Sequence, residues 1–266
     1  MDLTTFLIQC LNAVQYGLLL FLVASGLTLI FGIMGIINLA HGSFYMLGAY
    51  MAFVLAPYFG DWFIARLLAG ALLAALFGFV LEWAFFSFLY KRDHLQQVLL
   101  TYALILVFDE LRSLLVDNEV HGVQPPGWLS GGFRLGELMS YPWYRVFASL
   151  ACIVVALALY FVVNRTRLGM MIRAGASNRD MVRGMGVDIR RLYRIVFAGG
   201  VALAALAGMI AAMHKTVVDS PRGKFTVSPA GNPVQDIYLR EAKGNNNEYR
   251  GVAVKALADP ARGCKL

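Results

Sequence analysis

Apolar runs of membrane-spanning length recur along residues 1–213 and leave few folds open to this chain. A helix needs ~20 predominantly apolar residues to cross the ~30 Å hydrocarbon layer of a bilayer. Hydrophobic residues make up 59% of the 266, and the mean hydropathy is +0.64. Soluble domains are only ~45–50% apolar. The sequence therefore predicts an all-α polytopic transmembrane helix bundle.

The apolar runs predict about six spans. Residues 6–59 are long enough for two crossings, and we expect a break between them among residues 32–43. The second helix is therefore expected to be broken or glycine-rich. The other spans are predicted at residues 63–90, 95–116, 146–163 and 195–213. Proline and glycine mark residues 117–144 as a loop.

Charge predicts the orientation of these spans. Residues 164–194 hold eight arginines against two aspartates, and Lys91 and Arg92 lie two spans earlier. Cytoplasmic segments are rich in lysine and arginine, so both segments belong inside and the N-terminus outside. An aromatic belt at the outer interface is expected from Trp62, Trp128, Trp143 and Tyr144. The same clustering favours a membrane role for the net charge of +7 over nucleic-acid binding.

Residues 26–50 are apolar but carry five glycines together with Asn38 and His41. An unwound, glycine-rich helix survives in a bilayer only where protein or a water-filled cavity surrounds it. Transporters place such breaks on the substrate path. The residues predicted to line a path are Gly32, Gly35, Asn38, His41, Gly42 and Ser43. The alternative is a tightly packed helix in which Asn38 and His41 bond to neighbouring backbone.

Ionisable residues near membrane depth are costly and need an explanation. Asp109, Glu110 and Arg112 lie near the outer end of their span and are expected to reach the interface or to pair with one another. Glu82 is only about two turns before Lys91, so an interfacial position is the simpler expectation.

The arginine-rich segment contains one short helix signal. Ser177 followed by Asp180 is a capping-box pattern, and Gly184 or Gly186 can end the helix in a left-handed turn. This predicts about two turns with Met181, Val182 and Met185 on one face. Such a face fits a partner's groove, or the helix lies on anionic headgroups.

The sequence shows no residue pattern typical of an enzyme active site. The three cysteines form no C-x-x-C pair, so neither a metal site nor a disulfide framework is predicted. The sequence lacks a G-x-x-x-x-G-K-[ST] phosphate loop, because Phe225 follows the only Gly-Lys pair. We expect no catalytic residue, metal or cofactor in this chain.

Four blocks carry a resemblance to a known family: residues 26–50, Arg173-Ala174, residues 186–188 and residues 199–208. Together they resemble the permease subunit of bacterial branched-chain amino acid ABC importers. The resemblance implies a multi-pass inner-membrane subunit that works with a second permease, two cytoplasmic ATPase subunits and a periplasmic substrate-binding protein. A permease for another small solute (amide, urea or sugar) and an ATP-independent secondary transporter are the alternatives.

The resemblance also assigns the cytoplasmic loop. It implies that residues 174–186 touch the ATPase. The predicted coupling residues are Arg173, Ala174, Ser177, Asp180, Met181, Val182, Met185 and Gly186. Arg183 and Gly184 stand where family members usually carry alanine and leucine.

The predicted domain boundary falls after Met213. Residues 1–213 are expected to be the transmembrane permease domain, and residues 214–266 a polar tail, disordered or derived from a frameshift near His214. The family continues with further apolar segments and a Gly-Gly-x-Gly-Ser run, which this tail lacks. A frameshift would leave a truncated, inactive product, whereas the alternative is a lineage-specific tail. Resequencing across the His214 codon tests the two.

Overall fold

The computed structural model describes residues 3–60, 62–116, 123, 126–129, 131–134, 140–212, 218–220, 223–227, 233–243 and 246–257. The chain forms two compact units. One comprises Met1–Asp117 and Val123–Met213, and the other comprises Asn118–Gly122 and His214–Leu266.

The first unit is built of helices, which confirms the predicted all-α bundle. They are α1 (Leu3–Met34), α2 (His41–Val54), α3 (Ala56–Phe59), α4 (Phe63–Ala84), α5 (His94–Val116), α6 (Trp143–Arg165), α7 (Arg167–Ser177), α8 (Arg179–Gly184) and α9 (Ile189–Ala211). Short 3-10 helices lie at Phe86–Lys91 and Gly127–Leu129. Strands β1 (Gly132–Arg134) and β2 (Ser140–Pro142) pair antiparallel before α6.

Four helices among the described residues are long and apolar enough to cross a membrane: α1, α4, α6 and α9. The helix α5 has 23 residues, but Asp109, Glu110 and Arg112 lie in its last turns. The helix α2 has only 14 residues, or ~21 Å, and is shorter than the hydrocarbon layer. The break that separates α1 from α2 spans residues 35–40, inside the predicted range.

The helix α9 lies at the centre of the bundle, because 13 of its 23 residues are buried and α1, α2 and α4 all pack on it. Glycines make these approaches close. A Cβ on Gly26 of α1 would lie 2.6 Å from the carbonyl oxygen of Gly200, and one on Gly208 would meet the carbonyl oxygen of Tyr45 on α2. Such backbone contacts hold membrane helices together where hydrophobic driving force is lacking.

The N-terminal end of α9 differs from the prediction. The helix begins at Ile189 and not at residue 195, because Asp188 caps it by accepting bonds from the backbone N–H groups of Arg190 (3.0 Å) and Arg191 (3.2 Å). An N-cap carboxylate satisfies otherwise unpaired N–H groups of the first turn. The helix α7 was not predicted; Thr166 caps it by accepting a bond from the N–H of Gly169 at 3.1 Å.

Three members of the predicted aromatic belt are exposed, namely Trp62 (78%), Trp128 (57%) and Trp143 (48%). The fourth assignment is wrong, because Tyr144 is buried at 7% exposure in the first turn of α6. Its hydroxyl accepts a hydrogen bond from Nε of Arg145.

The second unit contains an antiparallel sheet of order β3-β4-β5-β6. Its strands are β3 (Val218–Ser220), β4 (Gly223–Val227), β5 (Pro233–Lys243) and β6 (Asn246–Leu257). The pairing of β5 with β6 runs from Gln235 opposite Leu257 to Lys243 opposite Asn246, with shifts of register between. The frameshift origin of residues 214–266 stays a prediction.

Candidate functional site

The break at residues 35–40 is an unwound segment inside the bundle. It begins at Gly35, which has a positive φ of 63° and donates its backbone N–H to the carbonyl of Phe31 at 2.8 Å. Glycine adopts this left-handed conformation without steric cost and so ends helices commonly. Burial then alternates: the residues at 36, 38 and 40 are at most 3% exposed, whereas Ile37 and Leu39 are 44% and 45% exposed.

The segment leads back along α1 into the bundle. Nε2 of His41, the first residue of α2, lies 3.0 Å from the carbonyl oxygen of Val23. Val23 is 11 residues before the end of α1, which is ~16 Å along the helix axis. The helix α2 therefore begins inside the bundle, beside the middle of α1, and the His41 ring lies against Gly26.

Asn38 and His41 each make one bond to backbone and keep one polar atom open. Oδ1 of Asn38 accepts a bond from the N–H of Ala40 at 3.1 Å. Nδ2 of Asn38 and Nδ1 of His41 have no partner in the part of the chain that the structure describes, although both side chains are 3% exposed. A buried, unpaired polar atom costs about 1–3 kcal/mol. The backbone bonds of the packing alternative are present, but they leave these two atoms unused.

The remaining predicted path residues separate into two groups. Ser43 lines a cavity of 120 Å³ between α2, α4 and α5, together with Phe44, Phe77, Phe108 and Arg112. Gly32 and Gly42 are exposed, and a Cβ at either would meet no described atom within 4 Å. The structure thus brings Gly35, Asn38 and His41 together on the unwound segment and leaves Gly32 and Gly42 at the surface.

The outer acidic residues behave as expected. Arg112 pairs with Asp109 at 3.2 Å, and its Nη1 also donates to the hydroxyl of Tyr50 at 3.4 Å. The side chain of Asp109 is 68% exposed, so this ion pair lies at the surface of the unit.

Glu82 is buried by contacts within the bundle, which sequence reasoning did not predict. Its side chain is 0% exposed and accepts a bond from Nε of Arg194 on α9 at 3.1 Å. The hydroxyl of Tyr90 donates to the other carboxylate oxygen. The helix α4 ends at Ala84, and the chain turns into the 3-10 helix that carries Tyr90. Lys91 therefore does not continue the helix of Glu82, and its distance along the sequence is no guide to depth.

The predicted coupling segment forms two helices, α7 and α8. Arg173 donates to the carbonyl of Val163, and Ala174 accepts from the N–H of Asn178 at 2.9 Å in the last turn of α7. The cap assigned to Ser177 is wrong, because Ser177 is the last residue of α7. Asn178 is the cap of α8 and accepts a bond from the N–H of Met181 at 3.0 Å.

The face predicted for the short helix is also partly wrong. Met181 and Met185 are 67% and 75% exposed, but Val182 is buried at 6% exposure. Adjacent helical residues point ~100° apart, so Val182 turns inward where its neighbour turns out. Asp180 lies in the first turn of α8, and Gly186, at φ 83°, makes the predicted left-handed turn after it.

A cavity of 640 Å³ lies between α8, the start of α9 and the 3-10 helix. Its polar lining includes Arg179, Arg183 and Arg190. Arg179 also reaches the break after α1, because a Cβ on Gly35 would lie 2.5 Å from its Nη2. Sequence reasoning missed this contact, since no local pattern joins residues so far apart along the chain.

Comparison with known proteins gives a consistent result. The family model described as "Branched-chain amino acid transport system / permease component" matches residues 9–229. The high-affinity branched-chain amino acid transport system permease protein BraD of Pseudomonas aeruginosa is 26% identical over 228 residues, which cover 80% of this chain and 73% of that protein.

Two further relatives are similar. The corresponding permease protein LivH of Escherichia coli K12 is 25% identical over 232 residues, with the same coverage of 80% and 73%. The fructose import permease protein FruF of Bifidobacterium longum is 27% identical over 102 residues, or 38% of this chain and 26% of that protein. No solved structure matches the chain.

Proposed function

Because this chain belongs to the family of branched-chain amino acid transport system permease components, we propose that it is the membrane permease subunit of an ATP-driven importer. Its cargo is a branched-chain or related amino acid. The BraD and LivH relatives, which are named for branched-chain amino acid transport, match 80% of the chain. The four apolar spans fit a multi-pass protein of the inner membrane.

The unwound segment at residues 35–40 is the observation that supports a path through this subunit. Backbone N–H and C=O groups cannot stay unpaired against lipid, so a broken helix needs protein or a watery cavity around it. Asn38 and His41 add two buried polar atoms with no partner among the described residues. A hydrated solute that passes this segment would supply the missing hydrogen bonds.

The partner subunits follow from the same proposal. Met181 on α8 and Met185 directly after it are both exposed, and flexible methionines adapt to a partner's groove. We assign this face to one of two cytoplasmic ATPase subunits. A second permease and a periplasmic substrate-binding protein complete the proposed importer.

Sugar import is the second candidate function, on the similarity to the fructose import permease protein. That match covers 38% of this chain, whereas the match to BraD covers 80%. The longer match favours an amino acid.

Cysteine labelling tests the path. Single cysteines at positions 38 and 41, in a background without Cys10, Cys152 and Cys264, should react with a membrane-impermeant thiol reagent in the assembled transporter. Excess leucine should slow the reaction. Gly42 is exposed on the outside of the bundle, and the proposal places it against lipid. A cysteine at this position is the control and should stay unreactive. If positions 38 and 41 are unreactive with and without ATP, the segment serves packing alone.

A further inference from the structure

The guanidinium of Arg179 lies against the backbone of Gly35, although 144 residues separate the two in sequence. Arg179 is the first residue of α8, the helix with the exposed methionines. Gly35 is the first residue of the unwound segment, which carries Asn38 and leads into His41 at the start of α2. One side chain therefore joins the cytoplasmic helix to the start of the break.

The positive charge of Arg179 lies at an electrostatically favourable position that does not depend on an acidic partner. Neither of the two ion pairs found among the described residues includes it. Its charge instead lies at the C-terminal end of α1, where the aligned peptide dipoles favour a cation. The contact thus depends on where α8 sits relative to the end of α1, and it changes when α8 moves.

The contacts of α8 and of the neighbouring α7 suit α8 to transmit a displacement to the end of α1. Its N-terminus is held by the Asn178 cap, and Val182 anchors it in the bundle at 6% exposure. The preceding helix α7 contacts the same end of α1, since a Cβ on Gly175 would lie 3.9 Å from side-chain atoms of Ile33. The residue that receives the contact, Gly35, has the positive φ of a position where the chain changes direction.

We propose that Arg179 is a positioning residue that transmits movement of α8 to the unwound segment at residues 35–40. The inference rests on the proposed function, because it takes the ATPase as the source of that movement. ATP binding shifts α8 through its exposed methionines, and Arg179 then shifts Gly35. Asn38 and His41, three and six residues further on, change their exposure to the path.

A matched pair of variants tests this transmission. Arg179→Ala removes the contact with Gly35, whereas Arg183→Ala removes an equal charge from the same helix and the same cavity. Each is combined with a cysteine at position 38 in the assembled transporter. In the parent and in Arg183→Ala, ATP should change the rate of thiol labelling. In Arg179→Ala this change should disappear, although the ATPase still co-purifies with the complex.

Two further measurements sharpen the test. Substrate carried per ATP hydrolysed should fall roughly 2- to 30-fold in Arg179→Ala, the range for residues that carry coupling. Gly35→Ala should give the same loss from the other side, because its methyl group displaces the guanidinium and disfavours the positive φ. The double variant should be no worse than either single variant.

The opposing outcomes are distinct. Equal behaviour of Arg179→Ala and Arg183→Ala overturns the inference and leaves the proposed function standing. Loss of ATPase co-purification in Arg179→Ala also overturns it, because the residue would then serve docking. A parent complex that co-purifies with no ATPase overturns the proposed function and the inference together.

Discussion

Removing Arg194 should destabilise the bundle, because the buried Glu82 then loses its charged partner. Glu82 on α4 is 0% exposed, and the Arg194 side chain that pairs with it at 3.1 Å is 29% exposed. The variant Arg194→Met keeps the length and apolar contacts of the side chain and deletes its charge. The carboxylate would then keep only the hydrogen bond from Tyr90.

The expected cost follows from the geometry. At 3.1 Å and an effective dielectric constant of about 20, opposite unit charges attract by about 5 kcal/mol. Partial exposure of Arg194 lets water screen part of this attraction. Breaking a buried pair by removing one partner costs about 3–5 kcal/mol. The unpaired carboxyl can also take up a proton, which limits the cost. We therefore expect Arg194→Met to lower the free energy of unfolding by about 3 kcal/mol, near the lower end of that range.

Equilibrium unfolding of the purified protein in mixed micelles measures this difference. The double variant Glu82→Gln with Arg194→Met should recover most of the loss, because no charge is then left unpaired. Asp109→Asn is the matched control: it breaks the exposed pair with Arg112, and surface pairs contribute little. The reasoning is refuted if Arg194→Met is no more destabilising than Asp109→Asn, or if the double variant is worse than the single one.

Two further predictions concern helix packing and the contact with the ATPase. Gly208→Val should disrupt the bundle and lower the yield of folded protein in size-exclusion chromatography, because its Cβ would meet the backbone of Tyr45. A Cβ on Gly199 of the same helix would meet no described atom within 4 Å, so Gly199→Val should be tolerated. Replacing Met181 and Met185 together with Asp should abolish ATPase co-purification or uncouple hydrolysis from uptake while the isolated subunit stays folded; unchanged transport by the intact complex would rule out docking through this face.

Local sequence was sufficient for the features that the bilayer itself dictates. Length and hydropathy predicted α4 and α6, because lipid solvates an apolar helix whatever its neighbours are. The break between the first two helices falls within the predicted residues 32–43, because the glycines that permit a break can be recognised from the sequence alone. The left-handed turn at Gly186 was likewise predicted from residue type alone.

Only the tertiary structure decided which distant groups meet. Sequence analysis identified no partner for Glu82, but it is buried because α4 docks on α9 and brings Arg194, 112 residues away, within hydrogen-bond distance. Val182 was placed on an exposed face, but the packing of α8 against the bundle turns it inward.

The same limit applies to the candidate site. The sequence predicted Asn38, His41 and the coupling loop as separate features. It could not show that His41 would bond to Val23, or that Arg179 would rest on Gly35. Those contacts depend on how closely backbones approach at pairs such as Gly26 and Gly200, and that approach is a property of two helices together.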